Sequence, residues 1–212
     1  MITEDTAWLM VEASRILQRP FRGLRIAELG NQWSGWQLSA PVKLIAEWLG
    51  AHHQSFDING LDGSIITDLS MPIANDYCGI FDLVTNAGTT EHVNTTLDYR
   101  DQYHAFRNIH YLAAFDSCMM HVVPSEKGAH CGCRYVYTHK FFDSLQRMCG
   151  YELLQHYDSK SDENHIAALL LKSSTSIFPS WAEFQELIAP EILRKQRDIM
   201  MPQRNISESL HG

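Results

Sequence analysis

Basic residues are scarce in this chain: 17 lysines and arginines stand against 25 aspartates and glutamates in 212 residues, a formal net charge of −8. Proteins that hold nucleic-acid backbones cluster Lys and Arg, so this balance argues against nucleic acid and favours a small molecule or another protein as partner. Long apolar runs are missing too. No window approaches the roughly 18–20 apolar residues of a membrane span, and the acidic start lacks the basic and apolar regions of a signal peptide, so a cytoplasmic chain without a membrane partner is expected. The five cysteines, Cys78, Cys118, Cys131, Cys133 and Cys149, form an odd set with no C-x-x-C pair. They read as reduced thiols, not as a disulfide framework. Internal repeats and low-complexity stretches are absent.

What is present is enough for one packed core: 45% hydrophobic residues, 10% aromatics and 20% charged residues. Residues 5–19 carry Trp8, Leu9, Val11, Ile16 and Leu17 at helical spacing, after Thr3, Glu4 and Asp5 as cap and first-turn acids. Residues 24–29 read as a short buried strand, and 39–49 as a helix closed by Gly50. Strands are expected at 54–58, 64–69, 81–85 and 118–124, and helices at 98–115 and 138–149. Residues 151–155 and 165–172 resemble a closing antiparallel pair. The pattern predicts an α/β fold with a mostly parallel sheet, an antiparallel C-terminal edge hairpin and helices on both faces. Only residues 59–64 join the second and third strands, fewer than a parallel crossover normally uses. Either those strands are very short and joined by a loop, or they run antiparallel. After Lys172 a Ser/Thr-rich connection leads to Pro179-Ser180-Trp181 and an amphipathic stretch, 184–199, broken at Pro190.

Four strand ends in order finish in an acid or an amide. The first is Arg25-Ile-Ala-Glu28-Leu-Gly30-Asn31-Gln32; the others are Phe56-Asp57, Thr67-Asp68 and Thr85-Asn86. A buried strand opening into a tight polar turn places backbone N–H groups and a carboxylate at the sheet's carboxyl edge, where open α/β folds bind nucleotide-like ligands.

Together R-I-A-E-L-G-N-Q, S-F-D-I-N-G, I-I-T-D-L-S, F-D-L-V-T-N-A-G-T-T-E-H-V and M-H-V-V-P resemble the ordered motifs of class I S-adenosylmethionine-dependent methyltransferases of small-molecule type. The resemblance covers about residues 24–172 and is most specific at 81–93. It implies a Rossmann-like methyltransferase core at 21–172, an N-terminal helix at 1–20 capping the site and a helical extension with a tail at 173–212. It implies S-adenosyl-L-methionine as cofactor. Glu28, Gly30, Asn31 and Gln32 would meet its methionine part, Asp57 the ribose, Asp68 and Leu69 the adenine, and Asn86 the sulfonium and incoming acceptor, with Ile58 a further cofactor contact. Two departures accompany it. Gln32 stands where the family's first motif usually has a second glycine, and the short 59–64 link implies a missing or reduced helix.

Methyl transfer is an in-line displacement, so one base suffices when the acceptor is a hydroxyl. His92 is the first candidate and Glu91 stands beside it; their alternative role is to fix the loop and begin the next helix. The 128–137 segment reads as a loop closing over the substrate, with His130, Arg134 and Tyr135 as acceptor contacts. His130, Cys131, Cys133 and His139 lack the paired spacing of a structural zinc site, so no metal is expected. His121 reads as a hydrogen-bonded strand residue, His104 and His110 as surface or helix-packing residues. Trp33 and Trp36 are divided between core and substrate stacking. N-P-P-[YF] is absent after Asn86, which argues against a nucleic-acid base or glutamine as acceptor, and E-L-G-N-Q-W-S-G does not match the G-x-G-x-x-G of nicotinamide enzymes. The leading expectation is a small-molecule methyltransferase; the alternative is a non-catalytic S-adenosylmethionine-binding module or partner subunit of the same fold. The C-terminal helix would pack on the core or form a homodimer contact.

Overall fold

The computed structural model of the chain describes residues 3–35, 39–93, 98–128, 133–160 and 164–194. Thr3 begins α1 (Glu4–Ile16): its hydroxyl accepts the Thr6 amide while the Thr6 side chain reaches back to the Thr3 amide. Leu9, Met10 and Ala13 bury one stripe of this helix. The chain continues through β1 (Arg25–Leu29), α2 (Val42–Trp48), β2 (His52–Asp57), β3 (Ile65–Ile66), β4 (Phe81–Ala87), α3 (Arg100–Leu112) and β5 (Ala113–Pro124). It closes with β6 (Tyr135–Tyr137), α4 (His139–Cys149), β7 (Glu152–Asp158), β8 (His165–Lys172), α5 (Trp181–Leu187) and β9 (Ile192–Arg194).

Seven strands form one sheet in the order β3-β2-β1-β4-β5-β8-β7. The first five run parallel, and β8 and β7 add the antiparallel edge. Every residue of β4 is buried, as a central strand covered on both faces requires. Alternation along β1 sends Ile26 to one side, with Leu9, Val42 and Ala46 of α1 and α2. Ala27 and Leu29 go to the other, with Phe106 of α3, Phe141 and Phe142 of α4 and Phe184 of α5. The helices therefore lie on both faces, as the pattern predicts.

The 59–64 link resolves as the loop alternative. β2 and β3 pair in parallel through Phe56–Ile65 and Asp57–Ile66, and a 3₁₀ turn at Leu61–Gly63 replaces the helix. The turn survives because Asn59 Oδ1 accepts the Leu61 amide at 2.8 Å and Gly60, at φ 64°, takes a left-handed conformation that costs glycine little.

Three expectations are corrected. The helix predicted at 98–115 stops at Leu112, because the buried Lys172 ammonium caps its end, donating to the carbonyls of His110 and Ala113 at 2.7 Å each. β5 starts at once and is bulged, its pairing with β4 passing from Phe81–Ala113 to Leu83–Cys118. The 128–137 loop is partly a strand: Tyr135, Val136 and Tyr137 form β6, all buried, paired with β9. The amphipathic stretch expected from 184 is broken at Pro190 as anticipated, but a strand follows the break in place of helix: α5 ends at Leu187, a 3₁₀ turn carries Pro190, and β9 follows.

Asp82, the acid of F-D-L-V, serves the fold. Its buried carboxylate accepts the Arg25 amide at 2.8 Å, the Arg25 guanidinium at 3.0 and 3.2 Å, and Arg19 at 2.6 Å. These bonds hold its pKa below the usual carboxylate range against the opposing effect of burial. Asp82→Ala is expected to cost about 2–3 kcal/mol, since charge-assisted bonds and a buried main-chain donor are lost together. Urea denaturation checks this; a loss below about 0.5 kcal/mol would show that the cluster contributes nothing to the fold.

Candidate active site

The carboxyl ends of β1, β2 and β4 face a cavity of about 380 Å³, within the range of about 300–1,000 Å³ usual for small-molecule sites. Of the residues singled out in the sequence, Gly30, Gln32, Asp57, Ile58, Asp68, Leu69 and His92 line it. Thr67, Gly88, Thr89 and Val93 complete the wall. Residues far apart in the chain thus meet because parallel strands deliver all their carboxyl ends to one edge.

Each wall is held from behind. At Gly30 φ is +79°, and a Cβ there would lie 2.5 Å from Thr89 Oγ1 and 2.8 Å from Gln32 Nε2. Thr89 Oγ1 donates to the Leu29 carbonyl at 2.6 Å and accepts from Gln32 Nε2 at 3.0 Å. The amide of Gln32, which stands where a second glycine was expected, is therefore tied across the turn. Asp57 Oδ2 accepts the Asn31 amide at 2.7 Å and Oδ1 the Asn59 amide at 2.8 Å. A carboxylate has about four acceptor sites, so these two bonds fix its orientation and leave acceptor capacity for ligand hydroxyls. Asp68 Oδ1 is set by the amide and hydroxyl of Ser70 at 2.9 and 2.6 Å.

Other expected contacts lie elsewhere. Glu28 is buried beside Ile26's face of the sheet and accepts the Gln32 amide at 3.3 Å; its role is to brace the turn. The side chain of Asn31 donates to Asp62 at 2.7 Å and is not part of the cavity wall. Asn86 is a correction: the amide expected beside the sulfonium is fully buried and bonds Thr90 Oγ1 at 2.9 Å, His121 Nδ1 at 3.3 Å and the Thr90 amide at 3.2 Å. β4 runs on to Ala87, and the next residues, Gly88 and Thr89, reach the cavity instead. Tyr135 is a second correction. It is buried in β6 with its hydroxyl donating to Asp101 at 3.2–3.3 Å, so it is not a surface of a closing loop. The Arg134 amide donates to the Glu91 carbonyl at 2.8 Å. His130, Cys131 and Trp36 lie outside the described residues. The N-terminal helix, expected to cap the site, contributes nothing to this cavity. With α2 it lines a separate, largely apolar cavity that includes Met10, Phe21 and Ile45.

Gln102 and Tyr137 carry weight that sequence reasoning missed. Gln102 Nε2 donates to the carbonyls of Thr90 and Val93 at 2.8 Å each, and the Tyr137 hydroxyl lies 2.7 Å from Gln102 Oε1 and 3.0 Å from Thr90 Oγ1. The Thr90–His92 turn is thereby clamped from α3 and β6. It presents His92, about half exposed, to the cavity and buries Glu91, with 3.8 Å between His92 Nε2 and Glu91 Oε1. Burial pushes the Glu91 carboxyl up to about 7 and Glu28 up to about 8. Burial also lowers His53 to about 4 and His110 and His121 to about 3.

These shifts set a pH profile. Raised carboxyls contribute stability that is complete below their ordinary value and is lost as pH rises through about 7 and about 8. Depressed imidazoles contribute stability that is present above their ordinary value and is lost as pH falls toward about 4 and about 3. Thermal unfolding is expected to show greatest stability near pH ~6.5, and Glu28→Gln should flatten the decline toward pH ~9. Parallel declines in Glu28→Gln and the unmodified chain would contradict this origin.

Among the described residues no group of three or more His, Cys, Asp or Glu side chains is placed to hold a metal ion, and no helix is long and apolar enough to cross a membrane. Neither a protein-family model nor a curated protein sequence matches the chain. Solved structures do match its fold. One is a Burkholderia thailandensis 1,6-didemethyltoxoflavin-N1-methyltransferase with bound 1,6-didemethyltoxoflavin and S-adenosylhomocysteine, similar at TM-score 0.58 and 12% identity over 81% of this chain and 79% of that one. A TehB-like SAM-dependent methyltransferase from Corynebacterium glutamicum gives TM-score 0.51 and 18% identity over 77% and 85%. The N-methyltransferase NodS from Bradyrhizobium japonicum gives 0.50 and 12% over 80% and 97%. The architecture is that of the class I S-adenosylmethionine-dependent methyltransferases.

Proposed function

We propose that this chain is an S-adenosyl-L-methionine-dependent methyltransferase acting on a small-molecule acceptor. The observation that carries the proposal is the convergence of Gly30, Asp57, Asp68 and His92 on one cavity at the sheet's carboxyl edge. The residues fit the cofactor chemically. Gly30 has no Cβ where the backbone must be approached, the oriented Asp57 carboxylate suits a pair of ribose hydroxyls, and Asp68 with the apolar wall of Leu69 suits adenine. When bound, the cofactor supplies an electrophilic methyl group on a sulfonium. The protein's own part is to position the acceptor and take up its proton.

His92 is the base in this reading. Its imidazole borders the cavity, and the Glu91 carboxyl behind it, shifted to about 7, can hold the imidazole in place and share its charge. Arg134, joined to Glu91 through its main chain, is the acceptor contact in this reading. The scarcity of basic residues favours a small acceptor over nucleic acid, and a small-molecule methyltransferase is among the proteins of like fold.

A non-catalytic binding module is the second reading, favoured by the Gln32 amide tied across Gly30 to Thr89. Methyl-labelled S-adenosylmethionine offered with a panel of small hydroxyl, amine and carbon acceptors separates the two. The methyltransferase reading expects labelled product whose formation falls at least tenfold in His92→Ala. Cofactor binding with no product from any acceptor class would favour the module.

A further inference from the structure

His139, whose spacing from Cys131 and Cys133 does not suit a structural zinc site, faces another histidine in the fold. From the first turn of α4 its Nδ1 lies 2.9 Å from Nε2 of His156 on β7. Each imidazole has a carboxylate at its far nitrogen: Asp158 Oδ1 is 2.8 Å from His139 Nε2, and Asp143 Oδ1 is 3.7 Å from His156 Nδ1. Lys127 holds the other Asp158 oxygen at 3.4 Å. Asp158, within hydrogen-bond reach, keeps the His139 N–H on Nε2 and leaves the Nδ1 lone pair toward His156, the arrangement found behind histidines that bind metal ions; Asp143, at 3.7 Å, is beyond hydrogen-bond reach, and His156 donates its Nε2–H across the pair. Moving that proton to His156 Nδ1, on the side of Asp143, leaves a lone pair on each near nitrogen.

The geometry points to a site for one divalent transition-metal ion held by His139 Nδ1 and His156 Nε2, with water in the remaining positions. Because the carboxylates lie at the far nitrogens, they support the ligands and do not converge on the ion. With metal–nitrogen bonds of about 2.0–2.1 Å, nitrogens 2.9 Å apart subtend about 90° at the ion. That is the cis angle of octahedral and tetragonal sites, so Ni²⁺ or Cu²⁺ fits better than tetrahedral Zn²⁺. Side-chain exposure of 47% at His139 leaves a path from solvent. The ion would tie the start of α4, which carries the buried Phe141 and Phe142, to the edge strand β7. This site is independent of the methyl-transfer reading.

Calorimetric titration of the full chain with Ni²⁺ alone tests the inference. One ion per chain is expected to bind in the micromolar range, weakened at least tenfold by His139→Gln or His156→Gln and roughly tenfold by Asp158→Asn, while His52→Gln, at the exposed first residue of β2, leaves it unchanged. In the unmodified chain, substoichiometric Ni²⁺ should broaden the NMR signals of the His139 and His156 rings first. Binding unaffected by either glutamine variant, a shared proton with no saturable Ni²⁺ binding, or broadening centred on other histidines would overturn the site.

Discussion

Asp57→Ala is expected to weaken S-adenosylhomocysteine binding at least a hundredfold, the largest loss from any single side-chain truncation in the cavity. The carboxylate acts twice. It would accept the ligand's ribose hydroxyls, and it already accepts the Asn31 and Asn59 amides at 2.7 and 2.8 Å, joining the turn after β1 to the turn after β2. Alanine therefore removes the ligand contact and releases both loops that shape the wall. A factor of a hundred corresponds to about 2.7 kcal/mol, within reach of two charge-assisted bonds at about 1.5–3 kcal/mol each. Partial solvent exposure lets water replace the two loop bonds, so unfolding free energy should fall by only about 1 kcal/mol. Asp62→Ala is the control, because Asp62 holds the Asn31 side chain from outside the cavity. Calorimetry on both variants, with thermal unfolding to verify folding, checks the contrast; equal losses would remove Asp57 from the ligand's contacts.

Gly30→Ala is expected to cost about 2 kcal/mol or more in stability and to abolish ligand binding. A left-handed conformation costs an L-residue roughly 1–2 kcal/mol, and the new Cβ would sit 2.5 Å from Thr89 Oγ1 and 2.8 Å from Gln32 Nε2. Those atoms cannot yield cheaply, since Thr89 is tied to the Leu29 carbonyl at 2.6 Å and Gln32 to Thr89 at 3.0 Å. The double variant Gly30→Ala/Thr89→Ala separates the two contributions. It relieves the nearest contact and leaves the backbone strain, so part of the stability should return. No recovery would place the whole cost in the backbone conformation.

Much of this architecture is legible in the sequence because parallel strands covered on both faces leave a strong mark: Ile26–Leu29 and Leu83–Ala87 are apolar or buried throughout and each runs into a glycine-bearing turn. The cavity residues that sequence motifs identify are those at the turns themselves, where a glycine or an acid has a local reason to be present. What escapes is tertiary. Asn86 precedes the glycine turn as a ligand-binding amide would, yet alternation along β4 and the needs of Thr90 turn it inward. Tyr135–Tyr137 has no alternation to betray a strand, because all three residues are buried between β9 and the clamp around Gln102. The partner strand β9 follows Pro190 in a stretch whose apolar spacing imitates a broken helix. Thr89 and Gln102 are polar residues with no local signature, and only the packed structure shows that they close the turn and lock the His92 loop.

The central claim is that the Gly30–Asp57–Asp68 edge holds S-adenosylmethionine. Calorimetric titration of the unmodified chain with S-adenosylhomocysteine tests it most directly: the account expects one saturable site per chain with a dissociation constant near the micromolar range, about −8 kcal/mol. Absence of saturable binding up to about 1 mM by the folded chain would contradict it.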